Sequence, residues 1–152
     1  MIVLLDTNIL TRCAEPGHAM YQAAIDAVAI LRTNGHRLCL VPQNLCEFWA
    51  VCTRPVSASG LGKTAIETAA ELAAVKSIFT LLEDLPTIYP EWERLVIAHS
   101  VLGKNVFDAR LVAAMRVHGE SQILTFNDRD FRRFPGIAIY TPAAVISAPP
   151  AP

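Results

Sequence analysis

Five carboxylates stand beside apolar runs in this chain, and their placement is the first sign of chemistry. Asp6 follows MIVLL, Glu47 lies in NLCEFW, Asp108 in NVFDARLVA, and Asp128 and Asp130 close ILTFNDRDF. A charge in an apolar frame is costly unless it is paired or bound to a metal. Taken singly, most have a simpler role. Asp6 can cap a helix opening at Thr7, and Asp108 in a first turn suits the helix dipole. Asp128 can serve as an N-cap, and Asp130 can pair with a nearby arginine. Glu47, flanked by Leu45, Phe48 and Trp49, has the weakest such explanation. Gathered in one place, these groups repel one another and protonate unless a cation joins them. A hard divalent ion meets that need: Mg²⁺ prefers octahedral oxygen ligands and is usually held by one or two carboxylates plus substrate phosphate. Such an ion activates water and stabilises the leaving oxygen of an in-line phosphodiester displacement. The chemistry indicated is metal-assisted hydrolysis.

The elements that must position these groups are legible from the hydrophobic pattern. Ile2 to Leu5 reads as a buried strand and Leu38 to Val41 as a second; Gln122 to Thr125 and Ile137 to Tyr140 read as two more. Between them lie amphipathic helical stretches: one opening near Ile9, then Ala19 to Thr33, Pro42 to before Pro55, Lys63 to Leu82, Glu91 to Leu102 and Phe107 to His118. Strands alternating with helices predict an α/β domain with a small, mostly parallel sheet flanked by helices. Ligands of such sheets bind outside the carboxyl ends of the strands. Asp6, Glu47 and the Asp128–Asp130 pair follow strands, and Asp108 opens the helix before a strand. The domain is expected to span residues 1–144, leaving 145–152 as a flexible Pro/Ala-rich tail.

A chain of 152 residues is long enough for one domain with a real core, and 53% apolar residues exclude a disordered chain. That apolar excess suggests surface covered by a partner. No apolar run is long enough to span a membrane, and MIVLLDTN has neither the basic start nor the apolar length of a signal peptide. A cytoplasmic protein is expected. Cys13, Cys39, Cys46 and Cys52 form no CxxC pair and read as buried free thiols rather than zinc ligands. The net charge of −1 excludes a polycation that binds nucleic acid by charge alone. Seven of the 13 basic residues, however, fall between Arg94 and Arg133. They are either solvated helix faces or a cationic rim guiding a phosphate backbone, with Arg110 and Arg129 as the candidate contacts.

Four segments in order, LLDTNIL, NLCEFW, GKNVFDARLVAAM and ILTFNDRDFRRFPGI, resemble the PIN-domain ribonucleases, and most closely the VapC-like toxins of type II toxin–antitoxin modules. The resemblance runs from Met1 to about Ala144. It implies a three-layer PIN-like fold and an endoribonuclease dependent on Mg²⁺ or Mn²⁺. It implies that Asp6, Glu47 and Asp108 gather the metal, with Thr7 and Asn8 bracing the first aspartate. It also implies a cognate VapB-like antitoxin and a homodimer. Where many members carry an aspartate directly after the Thr-x of the last motif, this chain has Asn127, an amide that can coordinate but brings no charge. Asp130 is then the expected fourth acid, with Asp128 as the alternative.

Three other readings compete. A dehalogenase-type phosphatase needs a second aspartate two residues after Asp6, where this chain has Asn8. A receiver-like signalling domain needs paired early acids and a lysine after a late strand, and neither is present. A catalytically silent PIN fold acting only as a binding module is the remaining alternative.

Overall fold

The computed structural model of the protein describes residues 1–148. Five strands form one sheet: β1 (Ile2–Leu5), β2 (Arg37–Leu40), β3 (Thr80–Leu81), β4 (Gln122–Leu124) and β5 (Ala138–Tyr140). Their order is β3-β2-β1-β4-β5, and every neighbouring pair is parallel. The chain therefore works outward from β1 to β2 and β3 on one side, then returns to lay β4 and β5 on the other. The crevice between the carboxyl ends of β1 and β4 is the topological switch point, where open α/β sheets bind ligands.

The period-two alternation of the strands builds three layers. Val3 and Leu5 of β1, Leu38 and Leu40 of β2, and Leu124 of β4 face one core. That core is completed by α1 (Thr7–Cys13), α2 (Tyr21–Thr33), α3 (Pro42–Thr53) and α8 (Pro142–Ser147) through Ile9, Leu10, Leu31, Phe48 and Val145. Leu4, Cys39 and Ile123 face the opposite core. There α5 (Ile88–Ala98), α6 (Asn105–Val117) and α7 (Asp128–Phe131) close over them with Leu95, Met115 and Phe131. The remaining helix, α4 (Ala65–Ile78), lies mostly in solvent. Its Thr64–Glu67 capping box fixes its start.

The differences from the sequence reading have local causes. The helix expected over 63–82 stops at Ile78, and Thr80 and Leu81 pair with Cys39 and Leu40 as β3. Two residues are too few to leave a periodic signal. Helix α5 begins two residues before Pro90 rather than after it. A proline in the first turn sacrifices no intrahelical bond, because the first four N–H groups have no partner there. Helix α8 crosses the boundary expected at residue 144, with Val145 buried in the core; only 149–152 lie outside the described residues. Cys39 and Cys52 are buried and Cys13 half-buried, but Cys46 is exposed on α3. Among the described residues no helix is long and apolar enough to cross a membrane.

Candidate active site

The turn after β1 carries Asp6 straight into the switch-point crevice. Its backbone N–H donates to the Leu124 carbonyl at 2.9 Å, fastening the carboxyl ends of β1 and β4 together. The side chain is 7% exposed. Its Oδ2 accepts from the Thr125 hydroxyl at 2.6 Å and from Asn8 Nδ2 at 2.8 Å. Asn8 Oδ1 in turn accepts the Phe126 N–H at 3.2 Å, and Thr125 Oγ1 accepts the Asn127 N–H at 2.9 Å. The β1 and β4 turns are thus latched through polar side chains that orient one carboxylate. Asn8 is one of the two expected braces; Thr7 has a different task.

Thr7 donates to Glu47 Oε2 at 2.6 Å, and Gln43 Nε2 donates to Glu47 Oε1 at 2.7 Å. Gln43 is itself held by the Phe107 carbonyl at 2.9 Å and by Arg110, which donates to its Oε1 at 3.3 Å. Asn44, fully buried, ties the same corner together. Its amide donates to the Leu5 carbonyl at 3.1 Å and to Thr7 Oγ1 at 3.2 Å, and its Oδ1 accepts the Val41 N–H at 2.9 Å. Asn44→Ala strands the buried Leu5 carbonyl and Val41 N–H, while Thr7 keeps its bond to Glu47. A loss of about 2–4 kcal/mol is expected in urea unfolding, since each unsatisfied group costs roughly 1–3 kcal/mol.

Asp108 enters from the first turn of α6, half-buried. Burial pushes its carboxyl up to about 7, reinforced by the charges of Asp6, Asp130 and Glu47 and opposed by Arg133. Burial likewise raises Asp6 to about 6, against the stabilising Thr125 hydroxyl and with Glu47 adding to the rise. The two candidates after β4 separate. Asp128 is paired with Arg132 one helical turn on, whereas Asp130 is close enough for its charge to register on Asp108. Asn127 lines the cleft itself, alongside Asp6, Glu47 and Asp108, in a volume of about 890 Å³.

Of the basic stretch singled out in the sequence, Lys104 lines the cleft, whereas Arg110 and Arg129 do not. Arg110 donates to both oxygens of Asp84 at 2.9 and 2.7 Å, so its charge is committed. Arg129 is exposed outside the cleft lining. Arg94 and Arg116 share Glu91, and Arg132 takes Asp128. Much of the basic stretch from Arg94 to Arg133 is therefore ion-paired helix surface. The cations that line the cleft are Arg12, Arg54 and Lys104. Thr125, Gln43 and Asn44 were likewise not singled out from the sequence. The signal that finds them is their place: polar residues directly after β2 and β4, at the ligand-binding edge.

Among the described residues no group of three or more His, Cys, Asp or Glu side chains is drawn together tightly enough to form a ready metal cage. Asp6 is engaged by Thr125 and Asn8, and Glu47 by Thr7 and Gln43. The donor set still suits a hard cation. Among the described residues no lysine or arginine forms an ion pair with Asp6, Glu47, Asp108 or Asp130. Mg²⁺ commonly takes one or two carboxylates and completes its shell with water and phosphate, so a full protein cage is not required.

Comparison with known proteins fits this geometry. No curated protein sequence matches the chain. Among solved structures, a chain of VapBC2 from Rickettsia felis, bound to a DNA fragment from its promoter, superposes with a TM-score of 0.71 at 14% identity, covering 93% of this chain and 98% of that one. VapBC-1 from nontypeable Haemophilus influenzae superposes at 0.69 with 15% identity, covering 94% and 99%. VapC20 of Mycobacterium tuberculosis, described as a Sarcin-Ricin loop cleaving toxin, superposes at 0.60 with 15% identity, covering 81% and 87%. At such identities the likeness is one of fold. The PIN domain model matches residues 3–137, which include Asp6, Glu47, Asp108 and Asp130 and, Ile2 apart, the strands β1 to β4, and the chain therefore belongs to the PIN domain family.

Proposed function

We propose that the protein is a divalent-cation-dependent endoribonuclease, acting in the cytoplasm as the toxin of a toxin–antitoxin pair. One observation carries the reading: Asp6 and Asp108, from different elements, line the switch-point cleft with no ion-pair partner among the described residues, and their carboxyls are pushed up chiefly by burial and further by neighbouring carboxylates. Nothing in a purely structural role calls for such an arrangement, and perturbed carboxyls in a cleft mark functional sites. Asp6 and Asp108 would hold Mg²⁺ or Mn²⁺, with Glu47 and Asp130 supporting from the rim. Bound there, the ion supplies the charge that activates water and stabilises the leaving oxygen.

The chain's own groups do the positioning. Thr125 and Asn8 fix the Asp6 carboxylate, and Thr7 and Gln43 fix Glu47, so neither must reorganise when a polyanion arrives. The VapBC structures share this fold over nearly their whole matched length, which supports a VapB-like antitoxin as partner. Exposed apolar residues such as Tyr89, Ile97 and Leu102 support a further contact surface, here assigned to a homodimer.

Purified protein freed of any antitoxin is expected to cleave single-stranded RNA with Mn²⁺ or Mg²⁺ and to stop on addition of EDTA. Asp130→Ala should lower that rate and weaken Mn²⁺ binding, while Asp128→Ala, which removes only a surface pair with Arg132, should leave both near wild type. The rival reading is a silent PIN fold that only binds a partner. RNA that stays intact at every Mn²⁺ concentration would establish that rival instead.

A further inference from the structure

An acidic cleft repels the polyanion it is meant to cut. A cation must therefore offset the field of Asp6, Glu47 and Asp108 where the strand enters. Of the three that line the cleft, Arg12 is committed to Glu15 at 2.6 Å. Among the described residues, Arg54 and Lys104 form no ion pair and no side-chain hydrogen bond. They reach the cleft from two different walls: Arg54 caps the end of α3, which carries Glu47, and Lys104 caps the start of α6, which carries Asp108.

Arg54 stands on an unusually firm mount for an exposed residue. Its carbonyl accepts the Gly62 N–H at 2.9 Å. The loop that follows is fastened back on α3 by Leu61 N–H to the Val51 carbonyl at 3.0 Å and Lys63 N–H to the Cys52 carbonyl at 2.8 Å. Gly60 is buried against the Arg54 backbone so closely that a Cβ there would overlap the Arg54 carbonyl. The backbone is pinned while the guanidinium is left free, which suits a fork of donors waiting for a phosphate. Val56 and Leu61 of the same loop line the cleft beside it and offer an apolar face to a nucleoside.

We propose that Arg54 and Lys104 are positioning residues that hold backbone phosphates of a single-stranded RNA flanking the acidic centre. The assignment rests on the endoribonuclease reading above and names the groups that bring its substrate to the site. Neither residue takes part in bond breaking. Their contribution is uniform binding, which acts on KM and leaves kcat alone.

The test is binding of a short fluorescent single-stranded RNA to the full chain carrying Asp108→Asn, measured over a salt series, with metal-free wild type as a second background. Each phosphate contact on a single strand contributes about 0.7 to the slope of log K against log salt. Arg54→Ala and Lys104→Ala should each reduce the slope by about that amount and the double variant by about 1.4, while Arg54→Lys keeps it. In the cleaving protein with Mn²⁺, both alanine variants should raise KM at unchanged kcat. A wild-type slope in either alanine variant, or a fall in kcat at unchanged KM, overturns the assignment. If the wild type cleaves RNA but the slopes do not move, only the Arg54–Lys104 assignment fails. If the wild type neither binds nor cleaves RNA, the endoribonuclease reading fails and takes the assignment with it.

Discussion

Asp6→Asn is expected to lower RNA cleavage by about a thousandfold or more and, in the metal-free protein, to raise the thermal midpoint near pH 8. The first effect follows from removing a charge that would hold the cation, whose stabilisation of the transition state is several kcal/mol at tenfold per 1.36 kcal/mol. The second follows from burial. Asp6 titrates at about 6 in the folded protein against 3.8 in a free chain, so its ionised form is disfavoured by about 3 kcal/mol on folding.

The direction with pH follows from that shift. A carboxyl raised on folding favours the fold while protonated. Its contribution is complete below the unfolded value of 3.8 and is lost as pH rises through about 6. Asp108 extends the same loss to about 7. Metal-free wild type should therefore lose stability between about pH 4 and 7, and Asp6→Asn should lose less. At the acid end Glu91, whose carboxylate is held low chiefly by Arg94 and also by Arg116, tilts the slope the other way. Melting curves in EDTA across that range read the effect directly. A wild-type midpoint that climbs steadily to pH 8, with the variant tracking it, would contradict the buried-charge account. Adding Mn²⁺ at pH 8 should then raise the wild-type midpoint, because the ion binds only the folded state, and should leave Asp6→Asn nearly unmoved.

The second large effect lies outside the chemistry. Phe131→Ala should destabilise the protein by about 3–5 kcal/mol in urea unfolding, the cost of emptying a fully buried aromatic site. Phe131 packs in the core with Met115 and Phe134. It is also the last residue of α7, a single turn whose N-cap, Asn127, makes no side-chain cap bond, so the buried ring is an anchor of that turn. Asp130 is its immediate neighbour. The variant should therefore lose cleavage beyond what its unfolded fraction explains, when assayed well below its melting range. Phe131→Leu, which keeps most of the volume, should cost about 1.5 kcal/mol or less and retain cleavage. An alanine variant within 1 kcal/mol of wild type would mean that the turn collapses onto the gap and that the anchoring account is wrong.

Much of this protein is legible without coordinates, and the reasons are particular. Ile2–Leu5 and Leu38–Leu40 are short apolar runs ended by polar residues, and buried parallel strands leave that mark. Pro42 announces the start of α3, and Gly119, at φ 73°, ends α6 in the left-handed conformation that glycine adopts without strain. β3 was hidden because two residues carry no period. The true start of α5 was hidden because Pro90 reads as a break unless its place in the first turn is known. Arg110 illustrates the limit most plainly: on the sequence it is a free cation two residues from Asp108, but folding hands it to Asp84, 26 residues away along the chain.

By itself the sequence determined the alternation that makes an α/β sheet and the appearance of an acid beside each of its functional edges. Both are local properties: a strand's hydrophobic run and the residue that follows it are neighbours in the chain. The tertiary structure alone decided that β1 and β4 lie side by side, which brings Thr125 to Asp6 across 119 residues at 2.6 Å and Asp108 within range of both Asp6 and Asp130. It also decided that Arg54 and Lys104 face the cleft while Arg110 is turned to Asp84. Electrostatic partnership depends on distance through space, and a chain folded about a switch point sets those distances between residues that its own order keeps far apart.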